Sequence, residues 1–164
     1  IKQKAEKVFK LCLKKKIKLA FAESCTGGLL SSLITSFPNS SKIFSCGLIT
    51  YSNLSKEKML GVSKKSLKKF GAVSKEIAIA MAESAASEGN ADIGMGITGI
   101  AGPGGATKNK KVGDVCIAIS DIKNNSVLSY DLDFKGSREQ IRLSSVDYAL
   151  DLLIKYILNP KKEC

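Results

Sequence analysis

Between Ile17 and Thr98 short apolar runs alternate with amphipathic or alanine-rich stretches, and few fold classes accept that order. Residues 2–16 read as an amphipathic helix, with Ala5, Val8, Phe9, Cys12 and Leu13 at helical spacing among lysines. Ile17 to Ala22 then reads as a short buried strand. Gly27-Gly28 follows, and Leu29, Leu30, Leu33, Ile34 and Phe37 mark a helix that ends before Pro38. A second strand is predicted over 43–51, then short helices over 53–60 and 63–70, the later one introduced by Ser63. Ser74 is predicted to cap a longer helix to about Ser87, whose alanines imply close packing. Ala91 to Thr98 reads as a third strand, and its Gly94 and Gly96 imply close approach of another backbone. Beyond a loop over 99–111, strands are predicted over 112–120 and 127–134, joined in a hairpin at Asn124-Asn125. Ser137 caps a last helix to about Leu158, stopped by Asn159-Pro160. The order predicts an α/β fold, a three-layer α/β/α sandwich with a mixed, mostly parallel sheet.

The 164 residues fit one domain, 1–164, with a properly buried core. The chain begins at Ile1 rather than methionine, which implies a truncated start. No apolar run approaches the roughly 20 residues of a spanning helix, and the lysine-rich N-terminus lacks a signal-peptide core. Five scattered cysteines (12, 25, 46, 116 and 164) form no Cys-x-x-Cys pair. Neither zinc nor disulfides are indicated, and a cytoplasmic location fits. The chain has no histidine, so Ser-His-Asp and Cys-His schemes are excluded, and proton transfer falls to Lys, Tyr, Asp, Glu or Cys. The net charge of +11 raises the question of nucleic acid. Lysine spread over the whole chain, 6% aromatics and no tryptophan argue against it, and for a solvated lysine face.

Ligands of such sheets bind beyond the carboxyl ends of strands, and four segments fall at or near such ends. In Glu23-Ser24-Cys25-Thr26-Gly27-Gly28, backbone N–H groups at a strand-to-helix turn could hold an anion, or Ser24 or Thr26 could simply cap the helix. Cys25 reads as packing rather than nucleophile. Tyr51 ends a strand and Lys56 follows a helical turn later, so both can reach one crevice. Lys56 is either a base with lowered pKa or one more surface lysine. The segment from Thr98 and Gly99 to Gly105 fits neither a Walker loop nor the dinucleotide fingerprint, and reads equally as a ligand loop or a flexible turn. Arg138 and Arg142, the chain's two arginines, sit four apart on one face at the start of the last helix. That pair suits a phosphate or carboxylate, or salt bridges.

The same segments resemble a known family. Ala22 to Gly28, Thr50-Tyr51-Ser52-Asn53 with Lys56, Gly61-Val62, Gly71-Ala72-Val73-Ser74, Thr98 to Pro103, Val112 to Val115 and Gly136 to Arg142 are similar to the CinA C-terminal domain, the nicotinamide-nucleotide amidohydrolase (PncC) family. The match runs from about residue 4 to residue 158. The resemblance implies hydrolysis of the carboxamide of nicotinamide mononucleotide to nicotinate mononucleotide and ammonia, in pyridine nucleotide salvage. It also implies an α/β/α fold, a homodimer or higher oligomer, and a serine mechanism without metal or other cofactor. Ser24 would be the nucleophile, with Lys56 and Tyr51 activating it. N–H groups of Cys25, Thr26, Gly27 and Gly28 would steady the oxyanion. Arg138 and Arg142 would hold the substrate phosphate and keep Lys56 deprotonated, while Thr98 and Gly99 would shape the pocket. One departure stands out: Gly113-Asp114-Val115 replaces the Gly-Thr-Val that members often carry. The alternative, suggested by the family's name, is a binding protein associated with competence or DNA damage and without catalysis.

Overall fold

A computed structural model of the chain describes residues 1–160. Five strands form one sheet in the order β2-β1-β3-β4-β5: β1 (Leu19–Glu23), β2 (Phe44–Ile49), β3 (Ile93–Gly99), β4 (Asp114–Asp121) and β5 (Ser126–Asp133). The helices are α1 (Lys2–Lys15), α2 (Leu29–Thr35), α3 (Asn53–Leu60), α4 (Lys64–Phe70), α5 (Lys75–Glu88) and α6 (Arg138–Leu158). β1 pairs in parallel with β2 and β3, whereas β4 runs antiparallel to both β3 and β5. The sheet is therefore mixed as predicted, with β4 running against the other four strands. The cause is the hairpin at Asn124-Asn125, where Asn125 takes a left-handed conformation and Asn124 N–H donates to Asp121 Oδ1 at 2.9 Å. A 3-10 turn at Ser40–Lys42 between α2 and β2 was not legible in the sequence.

Alternation along the strands divides the interior into two layers. One face presents Leu19, Phe21, Ile93, Met95, Ile97, Val115, Ile117 and Ile119, packed with residues of α1, α2 and α6. The other presents Ala20, Ala22, Cys116 and Ala118 with the alanines of α5. The small residues let α5 sit against the sheet. A Cβ on Gly94 would lie 1.9 Å from Ala82 O, and one on Gly96 2.2 Å from Ala78 O. The backbone that Gly94 and Gly96 predicted is thus α5.

Helix starts follow the predicted caps: Ser63, Ser74 and Ser137 each accept an N–H three residues on. At Ser137 a full capping box forms with Gln140. Among the described residues Cys12, Cys25, Cys46 and Cys116 are free thiols, and Cys164 lies outside them. Within the same residues no helix is long and apolar enough to cross a membrane.

Candidate active site

Parallel pairing brings the carboxyl ends of β1, β2 and β3 to one edge of the sheet, where the 24–28 turn, the start of α3 and the glycine loop meet. Ser24 extends β1, donating its N–H to Ile97 O at 2.9 Å, and is 7% exposed. Gly27 and Gly28 then take left-handed conformations that turn the chain into α2. A Cβ on Gly28 would also meet Ile49 Cδ1 at 2.9 Å.

Lys56 arrives from the opposite wall. Ser52 opens α3 through a capping box with Ser55, and Gly61 closes it in a left-handed conformation. This short helix carries Lys56 inward, 1% exposed. Lys56 Nζ donates to Ser24 Oγ at 2.9 Å and to Thr50 O at 2.7 Å. No carboxylate pairs with it among the described residues. Burial without a counter-charge lowers its pKa from 10.5 to about 8, against a weaker opposing influence of Cys25. The arginines do not contribute to that depression. The expectation that their charge keeps Lys56 neutral is corrected: desolvation is the cause.

A cavity of about 170 Å³ opens beside this pair, bounded by Ser24, Cys25, Tyr51, Arg138 and the glycine loop from Gly99 to Gly105. Cys25 is buried, and burial pushes its thiol up to about 12, so it stays protonated at neutral pH. Tyr51 is 57% exposed, and its hydroxyl accepts a short hydrogen bond from Arg138 Nη2. Lys56 and Ser24 touch directly, so no tyrosine relay stands between them. Arg138 also donates to Gly102 O at 2.6 Å, and so joins Tyr51 to the glycine loop. Gly102-Pro103 within that loop is a cis peptide.

Two predicted ligand-binding residues sit elsewhere. Thr98 is buried, and its hydroxyl donates to Ala72 O at 2.8 Å. Strand alternation turns it toward α5 with Gly94 and Gly96, so it braces the 71–74 turn rather than lining the cavity. Arg142 is half-buried, and its Nη2 donates to Thr26 O at 2.9 Å. It holds the 24–28 turn from behind while Arg138 faces the cavity.

The N–H groups of the turn are largely committed. Gly27 donates to Ser24 O and Leu29 to Thr26 O. Glu23, buried at the end of β1, accepts from Gly28, Leu30 and Ser31 N–H at 3.1, 3.2 and 2.8 Å, and from Ser31 Oγ at 2.7 Å. Gly27 and Gly28 are therefore corrected from oxyanion donors to turn-forming residues. The role of Glu23 was missed, although an acid closing an otherwise apolar strand was its signal. Asp114 accepts Lys111 N–H at 2.9 Å while its carbonyl takes Ile100 N–H, so it closes the base of the glycine loop. The described residues contain no cluster of His, Cys, Asp or Glu able to hold a metal ion.

The CinA C-terminal domain family matches residues 1–157. A protein of Caldicellulosiruptor saccharolyticus named for competence-damage induction is 47% identical over 94% of this chain and 37% of its own length. A CinA-like protein of Endomicrobium trichonymphae is 45% identical over 91% of this chain and 34% of its own length. The chain thus spans little more than a third of the curated relatives it matches. Among solved structures, a competence/damage inducible protein of Agrobacterium tumefaciens superposes with a TM-score of 0.90 at 37% identity, covering 94% of this chain and 93% of that one. A CinA superfamily protein of Enterobacter cloacae gives 0.90 at 30% identity, covering 95% and 91%. By sequence and by fold, this chain belongs to the CinA C-terminal domain family.

Proposed function

We propose that this domain is a serine–lysine amidohydrolase that cleaves the carboxamide of nicotinamide mononucleotide. The observation that carries the reading is the buried Lys56 Nζ, 2.9 Å from Ser24 Oγ and with its pKa lowered to about 8. A lysine near neutrality beside a serine is the pairing that nucleophilic catalysis needs where histidine is absent. Thr50 O keeps one N–H of the amine engaged, which leaves the lone pair of neutral Lys56 free to face Ser24.

In the proposed reaction Lys56 takes the Ser24 proton as Oγ bonds to the amide carbon. The resulting ammonium returns that proton to the departing nitrogen, the C–N bond breaks, and ammonia leaves a nicotinoyl ester on Ser24. Water, deprotonated by Lys56, then attacks the ester carbon, the bond to Ser24 Oγ breaks, Lys56 returns the proton to Oγ, and nicotinate mononucleotide leaves. Arg138, on the cavity wall, suits the substrate phosphate, with Tyr51 steadying its guanidinium. The cavity volume of about 170 Å³ suits the pyridine ring and its immediate attachment, with the phosphate toward the open side where Arg138 lies. Incubating the purified protein with nicotinamide mononucleotide and measuring ammonia together with nicotinate mononucleotide tests the reading. Stoichiometric formation of both products supports it, and absence of both rejects it.

A further inference from the structure

Seven of the nine backbone N–H groups from Ser24 to Ser32 have an acceptor, and the two left over are adjacent. Ser24 donates to Ile97 O, Gly27 to Ser24 O, Leu29 to Thr26 O and Ser32 to Gly28 O. Gly28, Leu30 and Ser31 donate to the Glu23 carboxylate. Cys25 and Thr26 are left without a backbone or neighbouring side-chain acceptor. Cys25 lines the cavity and directly follows Ser24. An amide next to a nucleophile is well placed to receive the negative oxygen of a tetrahedral adduct.

Glu23 is what produces this division. Its carboxylate is 1% exposed and its four acceptor contacts all come from the start of α2. Burying a carboxylate is costly, and a plain helix start is served by a serine, as at Ser52, Ser63, Ser74 and Ser137 in this chain. Here the acid sits five residues before Gly28 and folds the intervening turn back over itself. That closure absorbs the amides at the start of α2 and ties the turn down at its far end, while Arg142 holds Thr26 O in its middle.

We propose that Glu23 is a positioning residue for the oxyanion site, acting through the 24–28 turn to hold the Cys25 N–H toward the cavity beside Ser24. The inference rests on the serine–lysine reading and deepens it: oxyanion stabilisation comes from Cys25 rather than from the glycines. Glu23 itself touches neither substrate nor reacting atoms. Its effect falls on the transition state, where the oxygen carries charge, and not on ground-state binding.

The test is the rate at which a fluorophosphonate probe phosphonylates Ser24 in the wild type, Glu23→Gln, Ser31→Ala and Ser24→Ala proteins, followed by intact mass and repeated from pH 6 to 9. The probe reports Ser24 with any physiological substrate, so its outcome is separate from turnover of the mononucleotide. Glu23→Gln should label at least about tenfold more slowly than wild type, with the pH midpoint unchanged because the Lys56–Ser24 pair is untouched. Ser31→Ala, a milder change that deletes one of the four contacts, should lie between them. Equal labelling in wild type and Glu23→Gln overturns the proposal, as does a midpoint that moves, since Glu23 would then act through Lys56. Loss of fold in Glu23→Gln leaves Ser31→Ala to decide, and wild-type labelling rates there also overturn it. An unlabelled wild type rejects both this inference and the serine nucleophile. Labelling without turnover of nicotinamide mononucleotide rejects only the assigned substrate.

Discussion

Lys56 reaches Ser24 from the opposite wall of the site, Nζ to Oγ at 2.9 Å, with both side chains nearly closed to solvent. The contact spans 32 residues of sequence and joins the end of β1 to the first turn of α3. The other acceptor of Lys56 is the neutral Thr50 O, and no carboxylate among the described residues forms an ion pair with the ammonium. Burial is therefore what lowers the pKa of the amine, against a weaker opposing influence of Cys25.

The first consequence is a pH profile. Neutral Lys56 is the form able to accept a proton, and its pKa of about 8 makes it the minor form at pH 6. The apparent kcat/KM for amide hydrolysis should rise by about tenfold per pH unit below the midpoint and level off above about pH 8. A profile that is flat from pH 6 to 9 would remove Lys56 from the role of base.

The same shift bears on stability. The unfolded chain holds the Lys56 proton up to about 10.5, whereas the folded state releases it near 8. Stability attributable to this residue is thus lowest below pH 8 and is regained as pH rises toward 10.5. Relative to Lys56→Met, wild type should gain about 3 kcal/mol of unfolding free energy between pH 7 and 10.5. Paired urea titrations measure the difference and cancel the other lysines. A constant gap would mean that Lys56 is not desolvated.

The two arginines should separate kinetically. Arg138 faces the cavity, so Arg138→Ala is expected to raise KM about tenfold or more with a smaller change in kcat. Arg142 grips Thr26 O behind the nucleophile turn, so Arg142→Ala should lower kcat with little change in KM. Steady-state kinetics on both variants decide it. A KM effect confined to Arg142→Ala would reverse the assignment.

Packing against α5 offers a test of the fold itself. Gly94→Ala would press a methyl group into the Ala82 carbonyl, a backbone atom that cannot move aside cheaply. The expected loss is about 3 kcal/mol or more, or failure to fold, read by thermal or urea unfolding. An unchanged melting temperature would contradict the close seating of α5.

The sequence made the fold legible because local signals and tertiary packing agree. Gly94 and Gly96 announced a backbone neighbour, Ser63, Ser74 and Ser137 announced helix starts, and each did as its chemistry requires. At the candidate site, Ser24, Lys56, Tyr51 and Arg138 are brought together because all lie on loops or helix starts at one sheet edge. The strand order β2-β1-β3-β4-β5 depends on where the hairpin joins the sheet, which no local pattern encodes. Thr98 was misassigned although strand alternation contained the answer, since Gly94 and Gly96 already pointed its face at α5. Glu23 and Arg142 were harder to read. One serves amides five to eight residues ahead and the other a carbonyl 116 residues back, contacts that exist only once the turn has closed.

Ser24→Ala provides the most direct measurement, with ammonia release from nicotinamide mononucleotide followed beside wild type at pH 8. With Ser24 as nucleophile, wild type should turn over and Ser24→Ala should fall by about a thousandfold or more while keeping its fold by circular dichroism. Turnover by a folded Ser24→Ala protein at a rate near wild type would contradict that role.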